Sequence, residues 1–217
     1  MSFNDEIKLT DLVFVGMPGS GKGTQAKFFS QKFAYEHIST GDLLRREISR
    51  GSDLGKRVKE VLATGGLVSD EMVLELLKQN TDIRNNKYVF DGFPRNIAQA
   101  KSFESYHSCK AFYIVYFKLD GKKVIERLSN RRMTADGRYI YNLLTSPPKQ
   151  DGVCDVTGQK LIQREDDKVD VVTKRVKIFE TETFPMLDHF KSSKFYHEIN
   201  AEMSVEQVSN EINKIIS

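Results

Sequence analysis

The chain has 217 residues, 39% of them hydrophobic and 14 of them Phe, with 33 Lys and Arg against 30 Asp and Glu. That length suits one domain carrying inserted subdomains, and that apolar content supports a sizeable core and excludes disorder of the whole chain. A formal net charge of only +3 argues against a general nucleic-acid or membrane-surface binder, while leaving room for a local basic pocket.

In chain order, the first element is Leu12-Val13-Phe14-Val15, a short apolar run that reads as a buried strand. It stops at a glycine-rich loop, Gly16 to Gly23, and a helical pattern follows with Ala26, Phe29 and Phe33 on one face. Residues 41–50 and 53–63 read as two short helices broken at Gly51-Ser52. After the Gly65-Gly66 turn, Ser69 or Asp70 caps a helix carrying Met72, Val73, Leu76 and Leu77. Tyr88-Val89-Phe90 is a second buried strand, ended by Asp91-Gly92-Phe93-Pro94, and residues 111–117 form a third. Asp120 then caps a helix with Val124, Ile125 and Leu128 inward, and the four-residue spacing of Arg127 and Arg131 puts both on one helix face. This alternation indicates a parallel sheet wrapped by helices.

Residues 133–168 break the rhythm with Asp136-Gly137, Pro147-Pro148, Asp151-Gly152 and Thr157-Gly158, which reads as a small, turn-rich β insertion too long for a plain loop. Helix resumes near Val169 and is expected to run to about His189. Phe195 to Ile199 is the last strand, and Ser204-Val205-Glu206-Gln207 is a capping box opening a final helix with Val205, Val208, Ile212 and Ile215 inward.

No run approaches the ~18 apolar residues of a membrane span. Met1 to Glu6 carries two acids and no Arg, unlike a secretory leader or transit peptide, and Ser2 breaks the myristoylation pattern. Cys109 and Cys154 are too few for a disulfide framework or a four-cysteine zinc site, so a reducing compartment is the plain reading.

The loop Gly16-Met17-Pro18-Gly19-Ser20-Gly21-Lys22-Gly23-Thr24 contains G-x-x-x-x-G-K between a strand and a helix. Its glycines let backbone N–H groups turn inward around phosphate oxygens, the helix adds the positive end of its dipole, and Lys22 supplies a point charge for the outer phosphates. Residue 23 has no hydroxyl, so Thr24 is the nearest one able to reach phosphate or Mg²⁺. A guanine-reading N-K-x-D is missing, because Asn86-Lys87-Tyr88-Val89 lacks the Asp. A motor or large ATPase needs more chain, which leaves a small kinase with a second phosphate site.

Ile38-Ser39-Thr40-Gly41-Asp42-Leu43-Leu44-Arg45, Asp91-Gly92-Phe93-Pro94-Arg95 with Gln99, and Arg164-Glu165-Asp166-Asp167 resemble the signatures of the adenylate kinase family, over about residues 9 to 216. The resemblance implies a P-loop-type α/β core with a five-stranded parallel sheet, made of residues 1–38, 69–129 and 168–217. Residues 39–68 would be a helical monophosphate-binding subdomain and 130–167 a lid of the long-form enzymes. It implies that Gly19, Ser20, Gly21, Lys22, Gly23 and Thr24 hold ATP phosphates, with Arg127, Arg131, Tyr139, Ile140 and Met203 completing the ATP site. Thr40, Leu44, Arg45, Gly66, Leu67, Val68, Gly92, Arg95, Gln99, Arg164 and Arg175 would hold AMP. The catalytic set would be Lys22, Arg95, Arg127, Arg131, Arg164 and Arg175, with Asp91 near Mg²⁺ through water.

The implied reaction is reversible Mg²⁺-dependent transfer from ATP to AMP giving two ADP, direct and in line, with lid closure excluding water. The AMP phosphate is already ionised near neutral pH and needs no general base, so His37, His107, His189 and His197 read as structural or surface residues. Zinc-bearing lids of the family use four cysteines, whereas the matching places here include Thr134, Cys154 and Thr157; the expectation is a lid held by hydrogen bonds, with Mg²⁺ as the sole metal, arriving with the nucleotide. The order Tyr139-Ile140-Tyr141 departs from the family pattern near the donor base. A GTP:AMP phosphotransferase is the alternative, although Gln25 and Thr40 resemble the ATP-using branch; a catalytically idle nucleotide sensor is a third reading. ATP, AMP and ADP are the expected partners, with no nucleic acid or membrane, for a cytoplasmic monomer or one in the mitochondrial intermembrane space.

Overall fold

A computed structural model describes residues 10–217, so residues 1–9 of the expected core lie outside the described residues. The first half runs β1 (Asp11–Gly16), α1 (Lys22–Phe33), β2 (Glu36–Ser39), α2 (Thr40–Arg50), α3 (Asp53–Ala63), α4 (Asp70–Asn80), β3 (Tyr88–Asp91) and α5 (Ile97–Tyr106). The second half runs β4 (Phe112–Lys118), α6 (Gly121–Ser129), β5 (Arg131–Met133), β6 (Ile140–Asn142), α7 (Val169–Ile178), α8 (Phe184–Phe190), β7 (Tyr196–Asn200) and α9 (Val205–Ile216).

β1 is the central strand of a five-stranded sheet ordered β2-β3-β1-β4-β7, with every pairing parallel. Helices cover both faces, so Leu12 to Val15 are all buried and the strand reads as a continuous apolar run rather than an alternation. Phe14 meets Phe29 of α1 at 6.3 Å and Phe117 of β4 at 5.0 Å, edge to face, which ties the helix after β1 to the sheet. Asp11, fully buried at the foot of β1, accepts from Lys110 Nζ at 2.7 Å and from the Tyr88 N–H at 2.7 Å, and lies 3.0 Å from His107 Nε2. His107 thereby belongs to the base of the sheet, at the end remote from the C-terminal strand ends.

Three local expectations are corrected. β2 carries Glu36, His37 and Ser39 around one buried side chain, Ile38, so it has no apolar run to announce it; its four-residue pairing with β3 makes it a strand. α6 ends at Ser129 with Asn130 as its cap, and Arg131 opens β5, so Arg127 and Arg131 do not share a helix face. The helix from Val169 does not continue as α-helix to His189. A π turn, Phe179–Thr183, separates α7 from α8, where Pro185 has no N–H to give the carbonyl four residues back and its ring crowds that carbonyl.

The insertion is a small antiparallel unit. β5 pairs β6, Met133 and Ile162 exchange backbone hydrogen bonds at 3.0 and 2.8 Å, and Val153 bridges Lys160. Inside it, buried Thr134 donates to Asp136 Oδ1 at 2.6 Å and accepts from the Tyr139 N–H at 3.2 Å. Buried Cys154 lies 3.5 Å from the Tyr141 hydroxyl, which accepts from the Asp155 N–H. Among the described residues, no group of three or more His, Cys, Asp or Glu is placed to hold a metal ion, and no helix is long and apolar enough to cross a membrane.

Candidate active site

A cleft of about 950 Å³ runs along the C-terminal ends of the strands, where α/β sheets present their ligand sites. Its floor is the loop between β1 and α1. Gly21 caps α1 with φ +96°, a left-handed conformation that only glycine adopts at low cost, and this aims the first turn of α1 into the cleft. Lys22 curls back over the loop and donates to Gly16 O and Met17 O, both at 2.8 Å. Burial pulls the Lys22 ammonium down to about 8, with Asp91 opposing and Arg95, Arg175 and Arg131 reinforcing the shift. A Cβ at Gly23 would come within 3.2 Å of Asp91 Oδ2, so a residue without a side chain follows the lysine where the helix passes β3.

Asp91 ends β3 and faces the loop. Burial raises its carboxyl, but the nearby His37 ring and the Lys22 ammonium outweigh that and hold it below the ordinary value. His37 Nε2 stands 3.6 Å from Asp91 Oδ2, and both residues line the cleft. His37 is thus a cleft residue that its sequence context did not mark, because no motif within its own strand pairs it with a carboxylate.

The opposite wall comes from α2, the Gly65-Gly66-Leu67 turn and the loop after β3. Arg45 donates to Asp42 Oδ1 at 2.6 Å, and Arg95 Nε donates to Gly92 O at 2.6 Å. Thr40 is buried and donates to Gly92 O at 2.9 Å. Gln99 is also buried, its Oε1 accepting the Arg95 N–H at 2.7 Å and its Nε2 donating to Asp70 Oδ1 at 2.7 Å. Thr40, Leu44, Val68 and Gln99 lie beneath this wall, whereas Arg45, Gly66, Leu67, Gly92 and Arg95 line the cleft itself.

The remaining arginines arrive from distant segments. Arg127, late in α6, donates to Ala201 O at 3.2 Å. Arg131 grips Asp167 through Nε and Nη2 at 2.8 and 2.6 Å. Arg175, on α7, lies 3.1 Å from Asp166 Oδ2 and donates to Asp166 O at 2.8 Å. Arg164, at the end of the insertion, lies 3.6 Å from Asp42 Oδ1 across the cleft. Burial and then Arg175 bring Arg95 down to about 10; burial and then Arg45 and Arg131 do the same to Arg164. Such mutually depressing cations would be relieved by a polyanion, a charge pattern suited to phosphate groups.

The third wall joins the insertion to the C-terminal turn. Ile140, Tyr141 and Asn142 face the Ala201 to Val205 segment across the loop, and Met203 lines the cleft while Tyr139 does not. Lys27 of α1 donates to Gly137 O at 3.0 Å, which seats the insertion on the core. Neither Lys27 nor Asp42 was singled out from the sequence, since each acts through a partner on another element. Gln25 is buried with Nε2 donating to Val205 O and Oε1 accepting from Ser209, both at 2.8 Å, so it clamps α9 to α1.

A parallel sheet whose central strand feeds a phosphate loop, with a cation-lined cleft at the strand ends, defines a P-loop nucleotide-binding protein. The Adenylate kinase family model matches residues 14–195. The chain is 40% identical to the adenylate kinase of Thermosipho africanus, across 95% of this chain and 99% of that protein. It is 37% identical to the one from Hydrogenobaculum, across 94% and 99% of the two chains, and 35% identical to that of Chloroherpeton thalassium, across 95% and 97%. The chain belongs to the adenylate kinase family; it is a phosphotransferase, acting between ATP and AMP.

Proposed function

We propose that the chain transfers the terminal phosphoryl group of Mg²⁺·ATP directly and in line to AMP, with residues 130–167 closing as a lid. The observation that carries this reading is the convergence of Lys22, Arg95, Arg127, Arg131, Arg164 and Arg175, each from a different element or loop, on one cleft. In a transfer between two polyanions the demand on the protein is charge neutralisation and positioning rather than proton abstraction. Lys22 and the first turn of α1 hold the donor phosphates. Arg45 and Arg95 fix the acceptor phosphate, while Arg131, Arg164 and Arg175 gather the transferring group from the other side. The acceptor oxygen is already ionised, so His37 is not required as a base.

Mg²⁺ belongs to the nucleotide substrate, and Asp91 suits it: a carboxylate held ionised beside the loop is a hard oxygen donor for an ion that keeps most of its waters. Bound with ATP, the ion supplies charge to the phosphates. Asp91 holds that end of the donor, Ile140 and Met203 flank its base, and the backbone at Gly66-Leu67 with buried Gln99 reads the acceptor base. Residues 39–68 form the acceptor subdomain, and residues 10–38, 69–129 and 168–217 the rigid core.

Steady-state transfer with ATP and GTP crossed against AMP, GMP, CMP and UMP tests the substrate assignment. ATP with AMP is the expected best pair. A donor phosphorus made chiral at its terminal position should invert on transfer, and retention would overturn the direct in-line step.

A further inference from the structure

Gln99 is 2% exposed, and its amide is bracketed by two groups of opposite and fixed polarity. The Arg95 backbone N–H, 2.7 Å from Oε1, can only donate. The Asp70 carboxylate, 2.7 Å from Nε2 through Oδ1, offers only acceptor atoms. The same Asp70 oxygen accepts from Asn96 Nδ2 at 3.0 Å, and Asn96 Oδ1 in turn accepts the Gln99 N–H at 2.8 Å. Thr183 in the π turn donates to Arg95 O at 2.7 Å, holding the peptide that carries the donor side of the bracket. A primary amide is nearly symmetric in shape, so a neighbour able to play either role would leave two orientations close in energy. Here both neighbours select the same one.

We propose that Asp70 is a specificity-determining positioning residue: by locking the orientation of the Gln99 amide it makes the acceptor site choose a 6-aminopurine over a 6-oxopurine monophosphate. The inference rests on the reading that Gln99 meets the acceptor base. Gln99 has two N–H groups and two carbonyl lone pairs, and the bracket engages one of each. The remaining donor and acceptor match the ring-nitrogen acceptor and exocyclic-amine donor of a 6-aminopurine. A 6-oxopurine carries the reverse pair, an acceptor oxygen beside a ring N–H, and a flipped amide would match that instead. Asp70 touches no substrate in this scheme, and it acts only through Gln99 and Asn96.

The test compares AMP with IMP as acceptors, which differ at this edge alone. Asp70→Ala removes the acceptor and frees the amide; the AMP-to-IMP ratio of kcat/KM should fall about tenfold, the scale of one lost hydrogen bond, with the KM for ATP unmoved. Asp70→Asn keeps the size and one acceptor oxygen but adds a donor end, so the ratio should fall between those of the parent and Asp70→Ala, a graded response that a merely structural loss at the start of α4 would not predict. Calorimetric binding of AMP and IMP gives the same ratio for any variant that turns over poorly. If Asp70→Ala keeps the parent ratio while Gln99→Leu abolishes it, the proposal is overturned and Gln99 still reads the base. If Gln99→Leu itself keeps the ratio, the reading of Gln99 falls and the role of Asp70 falls with it. If Asp70→Asn loses as much selectivity as Asp70→Ala, the acceptor atom is not what matters and the proposal is also overturned.

Discussion

Arg131 and Asp167 join the two roots of the insertion through a two-point contact, Nε to Oδ2 at 2.8 Å and Nη2 to Oδ1 at 2.6 Å. Asp167 is fully buried, while Arg131 is partly buried, with 19% of its side chain exposed. The planar fork is therefore pre-set by a partner 36 residues away, and its remaining N–H groups stay available to the cleft. Asp167→Ala should destabilise the protein by about 1–3 kcal/mol, because it strands a partly buried guanidinium rather than simply removing a pair. Chemical denaturation measures this. Turnover of the folded variant should also fall, as Arg131 loses its fixed orientation.

Lys22 carries a pH signature with a definite sign. Its free value of about 8 lies below the ordinary 10.5, so the empty cleft sheds this proton as pH rises past 8. Donor phosphates favour the charged form. ATP affinity should then weaken above pH 8 by up to roughly tenfold per unit, and binding at pH 8.5 should take up a proton. The same shift means the unfolded chain binds more protons between about 8 and 10.5, so this group's contribution to stability rises with pH across that window. Calorimetry in buffers of different ionisation enthalpy reads the uptake, and Lys22→Met should abolish it while cutting turnover by orders of magnitude.

Gly55 sits where α3 crosses α2. A Cβ there would lie 2.2 Å from Glu47 O and 2.6 Å from Ile48 N, backbone atoms that cannot swing aside. Gly55→Ala should pry the two helices apart at a cost of about 1–3 kcal/mol. The acceptor wall carrying Arg45 moves with them, so the KM for AMP should rise far more than that for ATP; equal rises would show that the helix pair does not shape the acceptor side.

Replacing Met133 to Gln163 with a short Gly/Ser linker removes the insertion beyond its neck while keeping Arg131, Arg164 and Asp167. The core should stay folded, because the excised part meets it through peripheral hydrogen bonds, among them Lys27 to Gly137 O, Asn142 Nδ2 to Arg127 O and Gln163 Nε2 to Ser129 O. AMP binding should persist, phosphoryl transfer should collapse, and ATP hydrolysis should rise relative to transfer as water enters. Transfer to AMP at the parent rate would show that the insertion is not a catalytic lid.

Much of this architecture is written locally. Leu12 to Val15 form an uninterrupted apolar run that suits burial on both faces, and Gly19 and Gly21 before Lys22 permit the positive φ that the loop adopts there. The caps at Asp120 and Ser204 form as their side chains dictate, bonding Lys122 N and Gln207 N. The arginines were likewise visible as motif residues before any contact was known. What the chain order could not convey is pairing at long range. β2 becomes a strand only against β3, Arg131 leaves the helix because β6 and Asp167 claim it, and the π turn answers to Pro185 and to Arg95 O. His37 enters the cleft because β2 lies beside β3. The polarity of Gln99 is the sharpest case: an amide has no preferred end until Asp70 and the Arg95 N–H, brought to it by α4 and the loop after β3, supply an acceptor on one side and a donor on the other. Local patterns specify which residues can form an element, while the partner of a polar group depends on which distant segment desolvates it.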